Sequence, residues 1–73
     1  MSARRHAIII ERGPGSFGAY PPDIPRCAVV GDTEAEVRML IAEAIEFHSE
    51  ALRTHGEAIP EPSSSVDYVE FAA

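Results

Sequence analysis

The segment that begins at Thr33 constrains the fold most strongly, because it carries a complete helix pattern. Thr33 and Glu36 have the spacing of a capping box, in which the threonine hydroxyl accepts from the Glu36 amide and the glutamate reaches back. Apolar residues then recur at intervals of three and four as far as Leu52, which keeps one helix face apolar. Gly56 provides a left-handed stop. The sequence therefore predicts a helix over residues 34–55, about 33 Å long and able to cross a small sheet.

Four shorter segments have the residue patterns of strands. Ala7 is followed by three β-branched isoleucines, and a Gly-Pro-Gly turn then leads into a second segment, so the two form an antiparallel hairpin. A proline-rich bend precedes the third strand, and a proline- and serine-rich return loop precedes the fourth. The predicted strands cover residues 5–12, 16–20, 27–31 and 66–71. The order β-β-β-α-β predicts an α+β two-layer sandwich in one domain (residues 1–73), an antiparallel sheet with the long helix on one face.

The charge distribution narrows the choice of partner. The 73 residues include six arginines, no lysine and twelve acids, for a net charge of −6. Residues 1–26 hold four of the arginines and two acids, whereas residues 27–73 hold two arginines and ten acids. Binding to nucleic acid needs several cations aligned on phosphates, so no direct nucleic-acid binding is expected. A basic protein partner fits this charge better.

Several other classes of protein are not expected. Before Glu11 there are only four successive apolar residues, too few for a signal peptide or a membrane span, which predicts a cytoplasmic protein. Cys27 is the only cysteine, so no disulfide forms within the chain. Three scattered histidines lack the spacing of zinc ligands, and we expect no metal and no cofactor.

The acids of the predicted helix do not suggest catalysis. They lie opposite the apolar stripe, either as a solvated face or as an acidic ridge for a cationic partner. These acids are Glu36, Glu43, Glu46 and Glu50. A magnesium-dependent nuclease needs carboxylates that converge from different elements, whereas these point away from the sheet.

Two other residue types that often take part in catalysis have structural interpretations here. We interpret His48, within the apolar stripe, as a structural histidine bonded to a backbone carbonyl rather than a general base. We interpret Cys27 as a core residue. We therefore expect no enzymatic activity.

Several motifs together resemble one known family. They are the string GSFGAYPPDIPRC over residues 15–27, the triplet Gly31-Asp32-Thr33, the triplet Glu43-Ala44-Ile45 and the closing Ile59-Pro60-Glu61-Pro62. In this order they resemble the HicB-like antitoxin family, with Arg26 where the family usually has glycine. The resemblance implies a fold similar to a degenerate ribonuclease H core. It also implies an antitoxin that masks a small, basic HicA-like toxin, which cleaves mRNA with a histidine.

The resemblance also bears on assembly. Many relatives append a ribbon-helix-helix or helix-turn-helix domain that binds DNA, and we expect none after the predicted last strand. Relatives commonly self-associate, and a homo-oligomer, either dimer or tetramer, is expected here because Met39 and Phe47 lie off the apolar stripe and a sheet edge stays unpaired.

The leading hypothesis is therefore a non-catalytic antitoxin-like binding protein. The alternatives are a residual magnesium-dependent nuclease on the same fold and an orphan oligomeric regulatory protein. The partner surface is predicted to combine the bend with the helix acids. Its residues are Tyr20, Asp23, Arg26, Glu36, Glu43, Glu46 and Glu50.

Overall fold

A computed structural model describes residues 5–72, which form three strands and one helix. The elements are β1 (Ile9–Gly13), β2 (Ser16–Tyr20), β3 (Val29–Gly31) and α1 (Glu34–Thr54). The strands pair antiparallel in the order β1-β2-β3, so β1 and β3 are the two edges of the sheet. The predicted α+β fold with an antiparallel sheet is confirmed, in the order β-β-β-α.

The register of the sheet determines which side chains meet α1. Ile10 lies opposite Ala19, and Ala19 lies opposite Val29 on the other side. Directly opposite residues point to the same face of a sheet, so these three form a row under the helix. Val37 and Ile41 of α1 pack onto this face and have no exposed surface.

The core is small and draws on the bend as well as on the sheet and helix. Its buried apolar residues are Ala19, Ile24, Cys27, Val37 and Ile41. Ile24 comes from the proline-rich bend, where its amide donates to the Pro21 carbonyl at 3.2 Å and closes a turn. The predicted core position of Cys27 is confirmed, and burial raises the pKa of its thiol.

The helix begins and ends almost where the sequence predicts. The Glu36 amide donates to the Thr33 hydroxyl at 3.0 Å, while the Glu36 carboxylate accepts from the Asp32 amide at 3.3 Å instead of the predicted Thr33 amide. The helix ends at Thr54, one residue earlier than predicted. Beyond it Gly56 has a φ of +74°, as its predicted role as a left-handed stop requires.

Two predicted strands are shorter in the structure. Residues 5–8 were expected within β1, but Ile9 already pairs with Tyr20, the last residue of β2. Pro21 and Pro22 follow, and because proline has no amide hydrogen they end the strand that residues 5–8 would need. For the same reason β3 starts at Val29 rather than at residue 27. Val29 pairs with Ala19, so residue 27 would lie opposite Pro21, which is beyond the end of β2.

The predicted last strand over residues 66–71 is wrong for the described chain, because this segment pairs with no strand. All six residues are exposed, Tyr68 to 88% and Phe71 to 82%. The Tyr68 amide donates at 2.8 Å to the carboxylate of its neighbour Asp67, so it is already engaged outside any sheet.

The structural role predicted for His48 holds only in part. His48 is half-buried, but within residues 5–72 it forms no hydrogen bond to a backbone carbonyl. His55 has that contact instead, with Nδ1 2.8 Å from the Ala51 carbonyl oxygen in the last helical turn. The same carbonyl oxygen also accepts from the His55 amide at 3.1 Å, so the backbone and the ring of His55 share one acceptor at the end of the helix.

Candidate partner-binding surfaces

The outward face of α1 combines acids with exposed apolar side chains. We call this surface the helix ridge, and its residues are Met39, Glu43, Glu46, Phe47 and Glu50. Each of them lies three or four residues from at least one other member, so they form one continuous strip. Phe47 is 79% exposed and Met39 61% exposed. Large apolar side chains among acids are typical of an interaction surface rather than of a purely solvated face.

Glu36 does not belong to this ridge. It is half-buried at the first turn of α1, and its carboxylate accepts from the Asp32 amide. Its carboxylate stabilises the start of the helix, where negative charge also suits the helix dipole. Of the ridge acids, Glu50 alone has a partner of opposite charge among the described residues, Arg53 at 3.5 Å on the exposed surface.

The bend after β2 forms a second surface. A shallow depression is lined by exposed Tyr20 and Arg26 and by the prolines between them. Arg26 has a φ of +62°, a left-handed backbone conformation that favours glycine. The resemblance implies glycine at this position, and glycine adopts this backbone conformation without strain.

Asp23 lies on the same bend, but its carboxylate already accepts hydrogen bonds from residues of the same chain. One carboxylate oxygen accepts from the amides of Ser63 and Ser64 at 2.9 and 2.8 Å. The other accepts from their hydroxyls, at 2.9 Å from Ser63 and 2.7 Å from Ser64. The Ser64 hydroxyl and the two amides hold the pKa of Asp23 well below its usual range. We call this contact the serine clamp, since it fastens residues 63–64 to the bend.

The structure thus distributes the sequence-predicted residues over different places. Tyr20 and Arg26 share the bend surface, Glu43, Glu46 and Glu50 share the helix ridge, Glu36 caps α1, and Asp23 holds the serine clamp. The clamp could not be foreseen, because it joins residues 40 and 41 positions apart, and the only signal was a run of serines in a predicted loop.

The sheet also has a second face, turned away from α1. Ile9 lies opposite Tyr20, and Val30 lies opposite Gly18, on the face turned away from α1. Val30 is 70% exposed there. On the same face Ile9 is half-buried, and Glu11 lies opposite Gly18 and is exposed.

The described residues show no grouping suited to a metal ion. No set of three or more histidine, cysteine, aspartate or glutamate side chains comes together within residues 5–72. In the same part of the chain, no helix has the length and apolar character needed to cross a membrane.

Comparison with known proteins identifies the family to which the chain belongs. Residues 6–72 match the family described as the HicB-like antitoxin of bacterial toxin-antitoxin systems. The chain is also 31% identical over 64 residues to an uncharacterized 14.9 kDa protein in the rep-hol intergenic region of Haemophilus phage HP1 (strain HP1c1). That alignment covers 88% of this chain and 48% of the phage protein, so the chain spans about half the length of this curated relative. No solved structure gave a significant match. Because the family match spans nearly the whole sequence, the chain belongs to the HicB-like antitoxin family.

Proposed function

We propose that the chain is a non-catalytic antitoxin that neutralises a small, basic, HicA-like mRNA-cleaving toxin by direct protein–protein binding in the cytoplasm. The helix ridge is the observation that carries the proposal. Its three exposed acids would attract a basic partner over a distance, and Phe47 and Met39 would supply apolar surface once the partner has docked.

The bend surface would form a second part of the interface. Tyr20 is partly exposed beside Arg26, and both line the depression after β2. Tyrosine and arginine are, with tryptophan, the residue types that most often contribute strongly to protein interfaces. The serine clamp would support this surface, since Asp23 fixes the bend that presents both residues.

The chain would work as a homo-oligomer, either a dimer or a tetramer. The sheet leaves β1 and β3 as edges, and Val30 is 70% exposed on the face turned away from α1. Edges and apolar faces of this kind are normally covered, and a second copy would cover them.

The test is titration of the purified chain with a small basic protein encoded next to it, by calorimetry at about 50 mM and about 300 mM NaCl. We expect tight binding that weakens with salt, because the attraction is between exposed charges. Cleavage of mRNA by the partner should stop when one chain is bound per toxin. The absence of a complex at the lower salt concentration would refute the proposal.

A matched pair of variants then locates the interface. Glu46→Gln with Glu50→Gln removes two charges from the helix ridge and should weaken binding about tenfold. Glu11→Gln with Glu57→Gln removes the same charge from exposed positions elsewhere and should leave affinity within about threefold. Equal effects of the two pairs would show that net charge, rather than the ridge, governs binding.

A further inference from the structure

We infer that Arg26 is a specificity-determining residue that pairs with an acidic side chain of the binding partner. The contact lies in the depression after β2, which Arg26 and Tyr20 line. This inference rests on the proposed function and deepens it, because it names the chemical group that the bend surface recognises. The partner is then a basic protein with one carboxylate at the place where it meets the bend.

The backbone at Arg26 is unfavourable for a residue with a side chain. Its φ of +62° is the only left-handed value of a non-glycine residue within residues 5–72. Glycine adopts this conformation without strain, whereas the β-carbon of arginine crowds the following carbonyl. Strained positions of this kind are concentrated at functional sites, since folding alone favours glycine there. The strain therefore indicates a role for the arginine side chain other than stabilising the fold.

The guanidinium of Arg26 has no partner of opposite charge in the part of the chain that the structure describes. The ion pairs within residues 5–72 lie on α1 and involve other arginines. Asp23 lies on the same bend, but both of its carboxylate oxygens accept from Ser63 and Ser64. Arg26 is also exposed. Its charge is therefore available to a partner.

The composition of the depression suits one carboxylate. Arg26 is the only charged residue among the described residues that line it. Three prolines, Ile24 and Tyr20 form most of the remaining wall. A guanidinium can donate two parallel hydrogen bonds to a carboxylate, and apolar walls strengthen such a pair because they displace water. One acidic side chain is therefore the ligand that this surface fits, rather than an extended run of charges.

A contact of this sign supplies a selectivity that the helix ridge does not. The ridge acids attract any basic protein, because long-range attraction depends on charge rather than on the identity of the partner. Arg26 repels a partner that presents a lysine or arginine at the bend and favours one that presents an acid. Nucleic acid is a poorer occupant, since binding of phosphates needs several aligned cations and the chain has a net charge of −6.

The first experiment compares two substitutions that remove the same positive charge, Arg26→Gln and Arg12→Gln. Arg12 is an exposed residue of β1 outside the depression. Affinity for the small basic protein encoded next to the chain is measured by calorimetry at about 50 mM NaCl. Arg26→Gln should weaken binding about tenfold, whereas Arg12→Gln should leave affinity within about threefold. General attraction predicts slightly tighter binding for both, because each variant makes the chain more negative.

Stability measurements separate a binding role from a structural one. Arg26→Gly relieves the strained backbone, so it should raise the midpoint of urea denaturation while it weakens toxin binding about tenfold. Arg26→Gln keeps the β-carbon, so its stability should match that of the wild type. Opposite changes in stability and affinity cannot result from partial unfolding of the variant.

A double-mutant cycle identifies the acid on the partner. Each aspartate and glutamate of the toxin is replaced in turn by its amide, and each variant is titrated with the wild-type chain and with Arg26→Gln. One of these acids should show coupling of at least about fivefold with Arg26. The absence of coupling for every acid would overturn the inference.

The inference and the proposed function fail in different ways. Unchanged binding by Arg26→Gln, together with weaker binding by the helix ridge variants, would contradict the inference alone. The absence of a complex with the wild-type chain would contradict both. Binding of single-stranded RNA that is lost in Arg26→Gln would assign the arginine to phosphates and would also overturn the inference.

Discussion

Replacement of Arg26 by glycine should stabilise the protein, although it removes a whole side chain, because that side chain is exposed. The structure holds this residue at a φ of +62° at the end of the proline-rich bend. In this region the β-carbon of any residue other than glycine crowds the following carbonyl, whereas glycine has no β-carbon.

The size of the effect follows from two opposing terms. Removal of the β-carbon relieves roughly 1–2 kcal/mol of backbone strain. The unfolded chain gains freedom at glycine, which costs about 0.4–1 kcal/mol. The free energy of unfolding should therefore rise by about 0.5–1 kcal/mol. Arg26→Ala removes the same charge but keeps the β-carbon, so it should change stability very little.

Urea denaturation monitored by circular dichroism measures this difference. For a small domain with a slope near 1 kcal/mol per molar urea, the midpoint of Arg26→Gly should lie about 0.5–1 M above that of Arg26→Ala. Gly56→Ala provides the reverse control. Gly56 has a φ of +74° and open space around an added β-carbon, so only the backbone conformation is penalised, by about 1 kcal/mol.

Two results would refute the reasoning about Arg26. Equal stabilisation by alanine and glycine would show that the charge, not the backbone, is unfavourable. Destabilisation by glycine would show that the arginine side chain contributes contacts that outweigh its strained conformation.

Two further predictions concern the contacts that fix the bend and the helix. Thr33→Ala removes the acceptor of the Glu36 amide and should cost about 1 kcal/mol in urea denaturation, whereas Thr54→Ala at the exposed end of α1 should cost far less. Equal losses would show that the cap contributes nothing. Asp23→Asn should lower stability at pH 7. The pKa of Asp23 is lower in the folded protein than in the unfolded chain. Asp23 therefore contributes fully to the free energy of unfolding above about pH 4, and this contribution declines as the pH falls below that value. The difference between wild type and variant should therefore shrink at pH 3, and a constant difference would contradict this linkage.

The helix and the hairpin could be predicted because their signals are local. Thr33 and Glu36 are three residues apart, and Gly56 acts on the turn immediately before it. The hairpin likewise depends on a turn of two residues, Pro14 and Gly15, where Gly15 has a φ of +85°. At such separations the backbone geometry leaves few alternatives, so pattern and structure agree to within one residue for α1 and for the whole of β2.

The candidate site was predicted only in part. The ridge acids follow from helical periodicity, which a sequence displays directly. The same periodicity places Met39 and Phe47 off the apolar stripe, and the structure confirms that both are exposed while Val37 and Ile41 are buried. Glu36 carries two signals in the sequence, the helical periodicity that groups it with the ridge acids and the spacing of a capping box, and in the structure its carboxylate caps the helix.

By itself, the sequence determined where the helix begins and ends, which residues form the hairpin, and that negative charge is concentrated after residue 26. Only the tertiary structure determined where β1 and β3 start and which residues form the serine clamp. It also determined that residues 66–71 pair with no strand in the described chain. The physical reason is distance along the chain. A strand forms only where another strand offers an edge at the right place, and Asp23 meets Ser63 only after 40 residues have folded back. Residues 66–71 have the composition of a strand, but in the described chain they pair with no strand, although Tyr68 lies in the groove beside Ile8 and Ile10.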